Sequence, residues 1–105
     1  MIRVMHVADV RLEPDPLDPS QIVSGTPVTS VAELDEGRGI WEITPGVVTD
    51  VERDEIFVVL SGRATIETDD GQRVEVGPGD VCLLPEGAKT TWTVHETLRK
   101  VYQAH

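Results

Sequence analysis

Glu55 stands at the head of the most apolar run in the chain, Ile56-Phe57-Val58-Val59-Leu60. A carboxylate placed there and turned inward is desolvated, which raises its pKa and suits it to general acid or base work; a neighbouring cation pulls the pKa back down. Lys100 is the candidate cation, because a two-residue period puts it on one face of the last predicted strand with Leu98 and Tyr102, beside apolar Val101. Glu55 and Lys100 are therefore the candidate catalytic residues, and Trp41, Thr90, Trp92 and Tyr102 the candidate ligand-binding ones. By the same period Trp92 shares a face with Thr90, and Trp41 with Ile43. Two tryptophans, in a chain whose other aromatic residues are one Tyr and one Phe, can stack on a flat ligand or simply fill a small core. Ammonium, indole and carboxylate together would suit a small polar or anionic ligand with a flat apolar face. A purely structural Glu55–Lys100 ion pair is the competing reading.

Other chemistry is sparse. Ser20, Ser24, Ser30 and Ser61 fall in an arm or a turn, and no Ser-His or Cys-His pairing follows from the spacing. Cys82 is the single cysteine, so no intramolecular disulfide can form; flanked by Val81, Leu83 and Leu84, it reads as a buried, inert thiol in a reducing cytoplasm. Gly77-Pro78-Gly79 is a β-turn and not a phosphate-cradling loop. The acidic cluster Asp50, Glu52, Asp54 and Glu55 reads as a solvated loop, with attraction of Ca²⁺ as the alternative. A net charge of −10 repels nucleic-acid phosphates and anionic lipid, which removes both as expected partners. No apolar run reaches the length of a membrane span and the first ten residues lack a signal-peptide core, so a cytoplasmic protein is expected.

A chain of 105 residues can bury one core. Its nine glycines and seven prolines separate short runs rich in Val, Ile, Thr and Leu, which predicts an all-β fold of about eight or nine strands. Ile2 to Val10 reads as an opening edge strand. Pro14, Pro16, Pro19 and Pro27 favour extended, polyproline-like backbone over residues 11–38, packed as a strap on the barrel or a partner subunit, with a single helical turn at Asp18-Pro19-Ser20-Gln21. Residues 1–38 thus form an edge strand and arm, and residues 39–105 a barrel, together one domain. Residues 56–60 are apolar on both faces, as expected of a strand covered on both sides. Ala64–Thr68 and Arg73–Val76 form the clearest hairpin. Val81–Leu84, Thr90–Val94 and Leu98–Gln103 complete the strands.

Glu55-x6-Gly62 followed by Gly79-x5-Pro85-x-Gly87 resembles the two motifs of the cupin superfamily. Val23-Ser24-Gly25-Thr26-Pro27, Gly39-Ile40-Trp41, Thr44-Pro45-Gly46, Leu60-Ser61-Gly62-Arg63, Thr91-Trp92 and Arg99-Lys100-Val101-Tyr102 are similar to the small cupins of the ethanolamine-utilisation and ureidoglycine-aminohydrolase-like group. The resemblance implies a double-stranded β-helix, that is, a jelly-roll barrel, and a homodimer. In metal-binding cupins a His-x-His precedes the glutamate and a third His follows Pro-x-Gly. Here no histidine lies between His6 and His95, and Thr90 occupies the last His position. His105 is terminal. Glu55 alone cannot hold a transition metal, so no metal and no cofactor is expected.

Three functions follow. The first is a metal-free small-molecule-binding cupin of unassigned ligand. The second is a metal-independent lyase, isomerase or hydrolase acting on a small polar substrate with Glu55 as general acid or base. The third is a structural or interaction protein with a filled barrel. An open cavity containing Glu55 would favour the first two.

Overall fold

The computed structural model describes residues 1–105. Strands take up 59% of the chain and no α-helix forms. In order they are β1 (Glu13–Pro14), β2 (Ile22–Ser24), β3 (Thr29–Asp35), β4 (Arg38–Ile43), β5 (Gly46–Val51), β6 (Glu55–Thr68), β7 (Arg73–Val76), β8 (Val81–Leu84) and β9 (Lys89–Ala104).

Two long strands, β6 and β9, run antiparallel through both faces of the barrel. Their first-to-last halves are crossed. Glu55–Val58 lies between β8 and the end of β9, while Ala64–Glu67 lies between β7 and the start of β9. The start of β9 also pairs with β5, and its end with β4. One face is therefore β2-β5-β9-β6-β7 and the other β1-β3-β4-β9-β6-β8. Inward side chains from both meet in a core of Ile43, Val48, Phe57, Val59, Ala64, Ile66, Val76, Leu84, Trp92, Val94 and Leu98. The curled, twice-layered sheet is the jelly roll that the motif spacing implies.

Sequence readings that treat each apolar run as one strand divide β6 at Ser61-Gly62 and β9 at His95-Glu96. In the structure both runs are continuous strands that bend together. The β6–β9 register shifts between Val59 and Ser61, and again up to Ala64, so bulges accommodate the corner without breaking the ladder. His95 accordingly sits within β9, not in a turn, and its Nε2 is 2.8 Å from the Thr65 hydroxyl. The predicted hairpin is present in register, Ala64 opposite Val76 and Glu67 opposite Arg73.

The N-terminal region departs further from expectation. Residues 2–10 form no strand; their only regular element is a 3-10 turn at Val7–Asp9. Strand pairing begins at Glu13. The predicted extended strap ends at Pro27, and Thr29–Asp35 is a full ladder partner of β4. The physical reason is the proline distribution. All four prolines of the segment precede Thr29, so every donor that β3 needs is available.

The arm joins the free edges of the two faces. At one end Glu13 and Pro14 pair with Val31 and Ser30 of β3, and the Asp15 amide donates to the Thr29 carbonyl at 3.0 Å. At the other, Ile22 and Ser24 pair with β5. Between them the 3-10 turn Pro19–Gln21 is capped by Asp18, whose carboxylate accepts from the Ser20 amide while the Gln21 side chain accepts from the Asp18 amide. The Gln21 side chain also donates to the Thr49 carbonyl at 3.2 Å. Leu17 packs against the core.

Residues 56–60 are not covered on both sides. Phe57 and Val59 are buried, but Ile56, Val58 and Leu60 look outward, next to Val81 and Leu83 of β8, which are 60% and 74% exposed. Ile56 faces Leu83 and Val58 faces Val81 across the ladder, so the five form one apolar strip.

Candidate functional site

The arm roofs a cavity of about 260 Å³ at the mouth of the barrel. Its floor is built by residues of five strands, with Thr29 entering from β3. Trp41 enters from β4, Val48 and Asp50 from β5, Glu55 from the start of β6, and Trp92, Lys100 and Tyr102 from β9. The roof comes from the arm: Asp15, Pro16, Leu17 and Gln21.

The centre is an ion pair. Lys100 Nζ donates to Glu55 Oε2 at 2.6 Å, with side chains only 7% and 14% exposed. The ammonium is also seated among aromatic faces, 4.4 Å from the centroid of Phe57, 4.6 Å from Trp41 and 5.1 Å from Trp92. Each ring presents its negative face to the charge, which replaces part of the lost hydration. Trp41 and Trp92 pack edge to face with centroids 6.0 Å apart. Tyr102 is positioned by Gly39, directly opposite it on β4: a Cβ on Gly39 would lie 2.7 Å from the Tyr102 hydroxyl and 2.7 Å from the Ala32 carbonyl. The missing side chain is what lets the phenol lie across the strand.

Five of the six site residues proposed from sequence, Glu55, Lys100, Trp41, Trp92 and Tyr102, line this one cavity. Thr90 does not. It is buried on β9 beyond Trp92, on the side away from Lys100, and its hydroxyl donates to Glu52 Oε1 at 3.2 Å. Among the cavity residues missed by the sequence reading, which include Asp15, Leu17, Gln21 and Asp50, the most deeply buried acid is Glu52. Assigned there to a solvated acidic loop, it is in fact 7% exposed and lines the cavity. Its backbone is clamped to the Pro85-Glu86-Gly87 turn, the Glu52 amide donating to the Ala88 carbonyl and the Gly87 amide to the Glu52 carbonyl, both at 2.8 Å. That clamp aims the side chain inward. The signal was there in the two-residue period: Val48, Asp50 and Glu52 share one face of β5 and its continuation.

Burial pushes the Glu52 carboxyl up to about 7, and the nearby Asp50 carboxylate adds to the rise, while the Lys100 ammonium opposes it. Burial also raises the Tyr102 phenol and the half-buried Cys82 thiol, which keeps the thiol protonated and unreactive at neutral pH.

The residues do not fit a transition metal. Of the ligand set that metal-binding cupins use, only Glu55 is present, and its carboxylate is taken by an ammonium that would repel a divalent cation. His95 is committed to Thr65 and His105 lies beside Gln103. No group of three or more His, Cys, Asp or Glu side chains converges with metal-binding geometry. No helix is long and apolar enough to cross a membrane.

Among solved structures the chain is similar to a protein of unknown function of the DUF861 family from Pseudomonas syringae pv. tomato, at 26% identity and a TM-score of 0.81 over 92% of this chain and 45% of that one. This chain therefore spans less than half the length of that relative. It is also similar to the EutQ protein of Clostridium difficile, at 20% identity and a TM-score of 0.75, covering 97% of this chain and 85% of that one. A putative ethanolamine utilization protein Q from Salmonella typhimurium matches at 15% identity and a TM-score of 0.65, covering 90% and 97%. The latter two likenesses speak to fold alone. No curated protein sequence matches the chain. The model of the EutQ-like cupin domain matches residues 34–102, from within β3 to near the end of β9. On that match and on its jelly-roll architecture, the chain belongs to the EutQ-like cupin domain family.

Proposed function

We propose that the chain is a metal-free small-molecule-binding protein whose ligand occupies the cavity between the arm and the barrel. The observation that carries this reading is the open space beside a buried charge. A barrel with a purely structural role would close over its aromatic residues at ordinary core density. Here about 260 Å³ remains next to Lys100, Trp41 and Trp92. That volume is just below the roughly 300 Å³ at which small-ligand pockets usually begin, so the ligand is small. Glu55 is engaged by Lys100, so if the ligand is turned over, proton transfer falls to Glu52, whose raised pKa suits it. Titration of isotope-labelled protein with pools of small amines, acids and polyols tests the binding role. Saturable shifts at the Trp41 and Trp92 indole N–H signals are expected, and Trp92→Leu should weaken binding about tenfold or more by removing a stacking wall. If every pool leaves both signals unmoved at millimolar concentration, the cavity is not a binding site.

We also propose a homodimer through the outward strip Ile56, Val58, Leu60, Val81 and Leu83. The partner is assigned as a second copy because the strip carries no charge. Two chains of net charge −10 repel each other over most of their surfaces, and this face is where approach costs least. It would supply the apolar centre of an interface burying about 800 Å² on each copy. Sedimentation at micromolar concentration should show a dimer, and Leu83→Lys a monomer with unchanged circular dichroism. A monomeric wild-type protein overturns the assignment.

A further inference from the structure

Resting on the reading of the cavity as a ligand site, we infer that its ligand is a small organic cation, an amine or amidine on a flat apolar body, whose charged end is held by Asp15, Asp50 and Glu52. In place of the anionic ligand that Lys100 suggests in the sequence, the geometry favours the opposite sign. Lys100 is the only basic residue lining the cavity, and four carboxylates line it as well, those of Asp15, Asp50, Glu52 and Glu55. The single ammonium is neutralised by Glu55 at 2.6 Å and enclosed by rings. An anion would have to displace Glu55 and then sit among three further carboxylates, which repel it.

The remaining acidic residues line the cavity at two depths, Glu52 buried and Asp15 and Asp50 exposed at its opening. The Asp15 carboxylate makes no hydrogen bond within the chain; Asp50 accepts from the Val51 amide, and Glu52 accepts from the Thr90 hydroxyl and shares a hydrogen bond with the Asp50 carboxyl. A ligand that brings N–H donors and positive charge fits this set. The apolar half of the ligand has a place too, since Trp41, Trp92, Leu17 and Val48 form the apolar part of the lining. The Lys100 ammonium, already seated on the faces of Trp41, Phe57 and Trp92, shows that these walls accept an alkylammonium charge. The cavity is thus more than a group of acids: it has an aromatic wall, a roof and more carboxyl groups than cations along its lining.

The groups facing Glu52 are Asp50 on β5, Glu55 on β6, the Cys82 thiol on β8, and Lys100 and Thr90 on β9. A bound cation lowers the Glu52 pKa by adding attraction to its ionised form, so binding expels a proton near neutral pH. Affinity for a cation should therefore rise with pH between about 6 and 8, by several-fold and at most about the factor of ten that one pKa unit carries.

Four isosteric probes test the assignment by calorimetry and by the tryptophan signals of the wild-type protein: benzylammonium, benzamidinium, benzyl alcohol and benzoate. The two cations are expected to bind at least about tenfold more tightly than the alcohol, and benzoate not to bind. Asp50→Asn should weaken the cations several-fold without changing the alcohol, and Glu52→Gln should flatten the pH dependence over the same range. Tighter binding of benzoate, or equal binding of the alcohol and the cations, overturns the cation assignment and leaves the cavity a ligand site. If none of the four perturbs Trp41 or Trp92 at millimolar concentration, the inference and the binding role both fail.

Discussion

Replacing Lys100 with methionine is expected to destabilise the fold by about 3–5 kcal/mol at pH 8, the cost of leaving a buried carboxylate without its partner. The side chain of Glu55 is 14% exposed and Lys100 is its only cationic partner, 2.6 Å away. Methionine fills most of the lysine stem's volume, so the change isolates the charge. Glu52 responds to the same loss, because the Lys100 ammonium is the one influence holding its pKa down. The Glu52 carboxyl in the variant then favours the protonated form in the folded state more strongly. The sign follows from proton counts. A folded carboxyl whose pKa is raised above its unfolded value keeps a proton that the unfolded chain releases, so its stabilisation is fully present below the unfolded pKa of about 4.3 and is lost as pH rises through the folded one. For Glu52 in the wild type that window closes at about 7, and in Lys100→Met it extends higher. Urea unfolding should thus show a smaller loss at pH 5 than at pH 8. Since a buried ion pair gains little over apolar residues of similar size, Lys100→Met combined with Glu55→Met should recover most of the stability. A Lys100→Met cost below about 1 kcal/mol, equal at both pH values, would show that the pair is solvated.

The barrel was legible because its signals are local. Glycine-closed strands, the Ala64–Val76 hairpin and the two motif ends all lie within short windows, and each names its own conformation. The convergence of Glu55, Lys100, Trp41, Trp92 and Tyr102 was legible for a related reason: a two-residue period fixes the face of a residue once the strand is known. Thr90 and Glu52 were misplaced because depth along a strand is not periodic. Both face inward, but whether a residue lines the mouth or lies below it depends on which strands flank it, and the Thr90–Glu52 bond joins residues 38 positions apart. The arm's contribution of Asp15, Leu17 and Gln21 was hidden for the same cause. Prolines tell where a ladder is interrupted, not which cavity the interrupted segment covers. The carboxylates around Lys100, finally, were not legible from that residue alone. Of the carboxylates that outnumber it, Asp15 lies on the arm and Asp50 and Glu52 lie at the end of β5 and just past it, in segments that composition alone marks as solvated.

Gly62→Ala is expected to cost at least about 4 kcal/mol, a large part of the roughly 5–15 kcal/mol that holds a domain of this size together. The residue sits at the corner where β6 and β9 bend together, with φ at +86°. A Cβ built there would lie 2.1 Å from the Thr97 carbonyl oxygen and 2.6 Å from the Leu98 Cα. These are backbone atoms of the neighbouring strand, so no rotamer change relieves the overlap; the two strands must separate at the bend. Leu98 is fully buried, and the β9 residues beyond it carry Lys100 and Tyr102. Separation at Gly62 therefore opens the core and moves the cavity floor in one step. Gly79→Ala is the control, because Gly79 has nearly the same dihedral, +87°, but no atom within 4 Å of the place a Cβ would take. It should cost only the intrinsic penalty of a left-handed non-glycine residue, about 1–2 kcal/mol. Denaturant unfolding of the two variants side by side separates the two effects. Equal losses would mean that the bend yields freely and that the glycine serves only its own dihedral; a Gly62→Ala loss at least about twice that of Gly79→Ala places the constraint in the contact between β6 and β9, the strands that carry Glu55 and Lys100.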